Sequence, residues 1–160
     1  MIQKPPQRIV LDTNICLDLF VFRDPRWQPL FDAMHSGAVA PVTRNDCRTE
    51  WTLVLAYTKL GLSTAAQQAA LAEFDRWITL VDADASGLSL PVCKDPDDQK
   101  FLELAAASGA VALLSKDKAL LKLARRTRKL GLFEILSPAQ WIDALGPHAA
   151  ADTSPPAGLQ

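Results

Sequence analysis

Two kinds of run alternate along the chain. Short, nearly continuous apolar stretches occur at residues 8–12, 39–42, 78–81, 111–114 and 133–136. Unbroken apolar runs of this length suit strands of a parallel sheet covered on both faces. Between them lie longer segments with helical periodicity, at about residues 15–22, 27–35, 45–60, 64–77, 98–108, 117–129 and 138–145. Asp24-Pro25 breaks the first pair of helices, and Gly37, Gly61 and Gly109 supply helix stops. Asn45, and Ser63 or Thr64, supply starts, and Thr13 is favoured as the cap of the first helix. In the third helix the apolar face is Cys47, Trp51, Val54, Leu55 and Thr58. Residues 147–160 carry Pro, Ala, Ser and Gly without apolar periodicity and read as a disordered tail. Residues 1–146 read as one domain. Strands alternating with helices predict an α/β fold, a three-layer α/β/α sandwich around a five-stranded, mostly parallel sheet. In such folds ligands sit at the carboxyl ends of the strands.

The acidic residues gain meaning from that rule. Asp12 ends the first strand, and Asp117 lies just past the fourth. Asp95 and Asp98 open the helix that feeds the fourth strand, and Glu50 lies one turn into the helix after the second. Helical phase turns these acids inward. Asp98 shares a face with Phe101, Leu102 and Ala105, Asp117 with Leu120, Leu121 and Ala124, and Glu50 borders the stripe of Cys47 and Val54. Carboxylates buried together need a cation or a proton between them. Carboxylates without His or Cys suit Mg²⁺ or Mn²⁺ rather than zinc, and both histidines, His35 and His148, lie away from every acidic motif. Taken singly, each acid has a plainer reading. Asp95-Pro96-Asp97-Asp98 is also a good helix start, Asp117 a first-turn acid, and Glu50 an ordinary helix residue. Asp12, closing an apolar strand, is harder to explain that way.

Composition narrows the function classes. The 160 residues are 49% hydrophobic and 22% charged, which fits one globular domain with a real core. No apolar stretch approaches a bilayer span, and the start lacks the apolar core of a signal peptide, so no membrane contact and a cytoplasmic address are expected. Cys16, Cys47 and Cys93 form no CxxC pair and read as small hydrophobes. Seventeen basic residues nearly balance eighteen acidic ones, so net charge names no partner. Charge distribution says more. Lys118, Lys122, Arg125 and Lys129 fall on one face of the predicted 117–129 helix, with Arg126 and Arg128 nearby. That face is either a track for an RNA backbone or a solvated helix end.

The motifs resemble the PIN-domain family over roughly residues 8–145. Ile9-Val10-Leu11-Asp12-Thr13-Asn14 is similar to its opening strand with D-T-N, and Glu50 matches its second acid. Lys94-Asp95-Pro96-Asp97-Asp98-Gln99-Lys100-Phe101-Leu102 resembles the R-D-P-D-D-x-x-F-L segment of one branch, with Lys94 for Arg. Leu114-Ser115-Lys116-Asp117-Lys118-Ala119-Leu120 resembles S-G-D-x-D-L, with Lys116 for Gly and Ala119 for the second Asp. Ser137-Pro138-Ala139-Gln140-Trp141 resembles the closing helix start. The resemblance implies five parallel strands and a Mg²⁺/Mn²⁺-dependent endoribonuclease cleaving single-stranded RNA. It further implies the toxin of a toxin–antitoxin pair, a homodimer inhibited by an antitoxin protein. Asp12, Glu50, Asp98 and Asp117 would be the catalytic metal site. Asp95 would add charge or only cap its helix, and Asn14 and Ser115 would support the carboxylates.

Three rivals are weighed against this. A haloacid-dehalogenase phosphatase needs a second Asp where Asn14 stands. A nucleotide-binding module needs a GxGxxG or Walker lysine loop, which is absent from the sequence. A catalytically degenerate PIN-like domain that binds RNA or protein is kept alive by Ala119.

Overall fold

The structure, a computed structural model, describes residues 6–153, with side-chain surroundings for residues 6–145. Strands β1 (Gln7–Leu11), β2 (Val39–Thr43), β3 (Thr79–Leu80), β4 (Ala112–Leu114) and β5 (Glu134–Leu136) form one sheet in the order β3-β2-β1-β4-β5. Every neighbouring pair runs parallel, so the sheet expected to be mostly parallel is wholly so. From β1 the chain moves outward through β2 and β3, then returns to place β4 on the other side of β1. The carboxyl ends of β1 and β4 therefore flank a topological switch point, where α/β sheets open a crevice.

Each apolar strand serves two cores because successive side chains point to opposite faces. Ile9, Leu11, Ala112 and Leu114 join one core, whereas Val10, Val42, Leu113 and Ile135 join the other. Helices α1 (Thr13–Phe20), α2 (Gln28–Ser36), α4 (Thr64–Trp77) and α8 (Pro138–Thr153) cover the first face. They bury Ile15, Phe20, Leu30, Phe74 and Trp141 there. Helices α5 (Gln99–Ser108) and α6 (Lys118–Leu121) cover the second with Phe101, Leu102, Leu104 and Leu120. Helix α3 (Asn45–Leu55) straddles the two, sending Cys47 to the second core and Trp51 and Leu55 to the first. The three cysteines are free and buried. Gly109, at φ 73°, ends α5 in the left-handed conformation that lets the chain turn directly toward β4.

Several element bounds differ from the pattern. Helix α1 starts at Thr13, because Asp12 rather than Thr13 caps it. Helix α3 stops at Leu55, where Ala56 and Tyr57 N–H groups bond back to Leu53 and Val54 carbonyls, and Thr58–Leu60 is a separate 3-10 turn. Thr58, counted in the apolar stripe, is exposed and has nothing to bury. Arg44, not Asn45, occupies the capping position of α3. The expected 117–129 helix divides into α6 and α7 (Ala124–Lys129), with Leu123 N–H bonded at 2.9 Å to the Leu120 carbonyl in a tightened turn. The last helix runs to Thr153 instead of Leu145. Of the 147–160 segment read as a disordered tail, 147–153 is thus helical backbone, and 154–160 lies outside the described residues. Among the described residues no helix is long and apolar enough to cross a membrane.

Trp51 is the largest side chain sealed in the core. It is 1% exposed, stacked on Phe74 at 5.5 Å and edge-on to Phe20 at 6.2 Å between ring centroids. Its Nε1 has no hydrogen-bond partner among the described residues. Trp51→Ala is expected to cost about 3–5 kcal/mol in urea unfolding. Trp51→Phe keeps most of the ring contact and removes the unpaired N–H, so it should recover more than half of that loss.

Candidate metal centre

Asp12 occupies the last extended position after β1, at φ −71° and ψ 169°. Its Oδ1 accepts the Ile15 N–H at 3.0 Å, which fixes the start of α1. Its Oδ2 accepts the Ser115 hydroxyl, and Ser115 Oγ in turn accepts the Asp117 N–H at 2.9 Å. The ends of β1 and β4 are thereby laced together through one carboxylate and one hydroxyl. Asp12 is buried, and desolvation pushes its carboxyl up to about 6. The bonds from Ser115 and Ile15 oppose that rise, the nearby Asp117 charge adds to it, and Lys116 lowers it.

Asp95, Asp98 and Asp117 each bring one carboxylate oxygen within 4.8 Å of the others. Asp95 caps the 3-10 turn Pro96–Asp98, accepting the Asp97 N–H at 3.0 Å. Asp117 caps α6 through the Ala119 N–H at 2.9 Å. Asp98 caps nothing, and its Oδ2 is buried with no hydrogen-bond partner among the described residues. Two ionised carboxylates have no hydrogen to share, so a proton or a cation must lie between Asp98 and Asp117. Without a cation the pair holds one proton, and the direction of the shifts favours Asp98 as its carrier. Burial, then the bond and charge of Asp117, then Asp95 and Asp12, push its carboxyl up to about 8. Asp117 stays ionised, held below the usual carboxylate range first by the bond from Asp98 and then by the Ala119 N–H. An all-oxygen donor set crowded in this way fits a hard divalent ion such as Mg²⁺ or Mn²⁺.

Glu50 is placed differently from the expected single cluster. Its Oε1 pairs with Lys100 Nζ at 2.7 Å, and its Oε2 accepts the Thr13 hydroxyl. Lys100 also donates to the Asp97 carbonyl. Thr13 thus bridges to Glu50 instead of capping α1. Glu50 reaches the rim through an ammonium and a hydroxyl, outside the group formed by Asp95, Asp98 and Asp117. Asn14 is exposed on the first turn of α1.

Sequence reasoning passed over two further anchors. Lys116 Nζ pairs at 2.6 Å with Asp18 Oδ2, which also accepts the Trp27 Nε1–H at 3.0 Å. Asp18 is buried on α1, so this pair ties the 115–117 loop to the helix that Asp12 caps. A charged residue inside the apolar run Ile15–Phe20 was the available signal, since a buried charge needs a partner. Nothing in local periodicity could join Glu50 to Lys100. Lys118, Lys122, Arg125 and Lys129 are all exposed, but the break between α6 and α7 means that they do not lie on one continuous helical face. Nearby, Arg128 is paired with Glu134 at 2.8 Å.

The family model of the PIN domain matches residues 8–119. That span runs from β1 through Ala119 and contains every acid of the pocket. No curated protein matches the chain.

The raised carboxyls set the sign of the pH dependence in the metal-free protein. Asp12 and Asp98 bind protons more tightly folded, at about 6 and about 8, than the ordinary value of 3.8. The folded state therefore holds more protons than the unfolded chain, and stability falls as pH rises from about 5 to 8. Thermal melts in EDTA should show that fall. Asp98→Asn should flatten it and leave the apo protein equally or more stable than the parent. A large loss of apo stability in this variant would instead assign Asp98 a structural role.

Proposed function

The chain belongs to the PIN-domain family, and we propose that it is a Mg²⁺- or Mn²⁺-dependent endoribonuclease that cleaves single-stranded RNA. PIN domains are generally nucleases that work on nucleic acid with a divalent ion, which sets the reaction class. One observation carries the finer reading. Aspartates from two separate segments meet at the switch point, and a buried oxygen of Asp98 is left for an ion to satisfy. Asp98 and Asp117 would hold the ion, Asp12 would join them directly or through water, and Asp95 would add charge from the exposed side. Once bound, such an ion lowers the pKa of water and stabilises negative charge on a phosphate oxygen.

The chain's own groups supply order around that chemistry. Ser115 holds Asp12 and the Asp117 backbone at once, so the acids from β1 and β4 keep a fixed separation. The Lys116–Asp18 pair anchors the same loop to α1. The exposed basic residues Lys118, Lys122, Arg125 and Lys129 follow directly after Asp117 and would receive the RNA backbone. The branch that the motifs resemble extends the proposal to a cytoplasmic toxin acting as a homodimer and inhibited by an antitoxin protein.

A second reading has a specific observation behind it. Ala119 stands where the motif has another Asp, and its N–H is used to hold Asp117. A degenerate domain that binds RNA or protein without cutting would fit that substitution. Cleavage of a labelled single-stranded RNA with Mg²⁺ or Mn²⁺ against EDTA decides between the two. Asp12→Asn and Asp98→Asn should each reduce kcat/KM at least about a hundredfold. Full activity in EDTA, or in both variants, would remove the metal-nuclease reading. Separately, K122E/R125E should weaken RNA binding and flatten its dependence on salt, whereas unchanged binding would leave those residues a solvated surface.

A further inference from the structure

Glu50 matches an acid of the family pattern, yet both of its oxygens are already engaged. Lys100 Nζ lies 2.7 Å from Oε1, and the Thr13 hydroxyl donates to Oε2. The Lys100 side chain is only 17% exposed. It is held on a second side by the Asp97 carbonyl, and its ammonium lies 5.2 Å from the centroid of the Phe101 ring. Lys100 is two residues from Asp98, on the first turn of α5, so a fixed positive charge is built in beside the acid pocket. The acids that do converge are Asp95, Asp98 and Asp117, with Asp12 adjacent and Glu50 outside the group.

We infer that Lys100 is the resident counter-cation of Glu50, so that the pocket takes one divalent ion on Asp98 and Asp117, and Glu50 is a positioning residue rather than a ligand. The physical reason is neutralisation. Each Glu50 oxygen accepts one donor and keeps a further lone pair, but a second divalent ion there would sit beside the ammonium already paired with the same carboxylate. Glu50 instead fixes the ammonium, and through Thr13 it fixes the first turn of α1, whose cap is Asp12. The arrangement joins α1, α3 and α5 at the rim without a second metal. The inference rests on the proposed reading in needing an ion at the aspartates, but it concerns the number and neighbours of ions and not the substrate.

Counting Mn²⁺ by electron paramagnetic resonance on the full chain, without RNA, tests it. The parent protein should bind one Mn²⁺ per chain. Glu50→Gln should keep that count; it weakens the ion only through the freed Lys100 charge, so at high ionic strength its affinity should return to within about threefold of the parent. Lys100→Met, or Lys100→Gln if the first folds poorly, should tighten Mn²⁺ binding at low ionic strength by at least about threefold, since a like charge has been removed from beside the ion. Asp98→Asn should lose the ion. Two ions in the parent, a weakening of about tenfold or more in Glu50→Gln that persists at high ionic strength, or unchanged affinity in the Lys100 variants would overturn the inference. Two ions with RNA cleavage would sink the inference and leave the nuclease standing. One ion without cleavage of any RNA would do the reverse.

Discussion

Negative charge crowded at a partly buried rim is the constraint around which this molecule is arranged. Desolvation raises the Asp12 carboxyl, and Asp98 with Asp117 can share their site only through a proton or a cation. Such crowding works against folding, so the rest of the structure has to hold it in place. A wholly parallel sheet, buried on both faces, delivers β1 and β4 side by side at fixed register, with Leu11 opposite Leu114. Asp12 and Ser115 then follow directly from paired strand ends, and their hydrogen bond closes the gap between them.

Positive charge is distributed to match. Lys116 pairs with the buried Asp18, and Lys100 with Glu50. Each lysine is near the aspartates in sequence but is committed to another acid. Neither one forms an ion pair with Asp98 or Asp117, so that pair still needs a proton or a cation. Lys116 replaces the glycine of the motif that this segment resembles. Its partner, Asp18, is an acid inside an otherwise apolar helix, so the substitution and the buried charge explain each other.

Much of this was legible in sequence because it depends on short-range pattern. Apolar runs gave five strands, glycines marked helix ends, and the carboxyl-end rule located the rim. The missing parts depend on distance or on competition between similar groups. Asp12 and Thr13 are both good caps; Asp12 wins because its extended backbone aims Oδ1 at Ile15 N–H, which frees Thr13 for Glu50. The break between α6 and α7 has no Gly or Pro to announce it. Glu50 and Lys100 lie fifty positions apart on different helices, and only the packing of α3 against α5 brings them together.

Reading these aspartates as either helix caps or site residues poses a choice that the geometry dissolves. Asp12, Asp95 and Asp117 each spend one oxygen on a backbone N–H at the start of a helical element. Capping orients each carboxylate by a backbone N–H bond. The second oxygen is then presented in a fixed direction; in Asp12 it is taken by Ser115. A cap thus fixes a carboxylate's direction while leaving one oxygen for another partner. Asp98 breaks the series, because it caps nothing and carries a buried oxygen without a partner. No stability argument explains that position in a metal-free fold. It is the residue whose surroundings are complete only with a proton or a cation beside it.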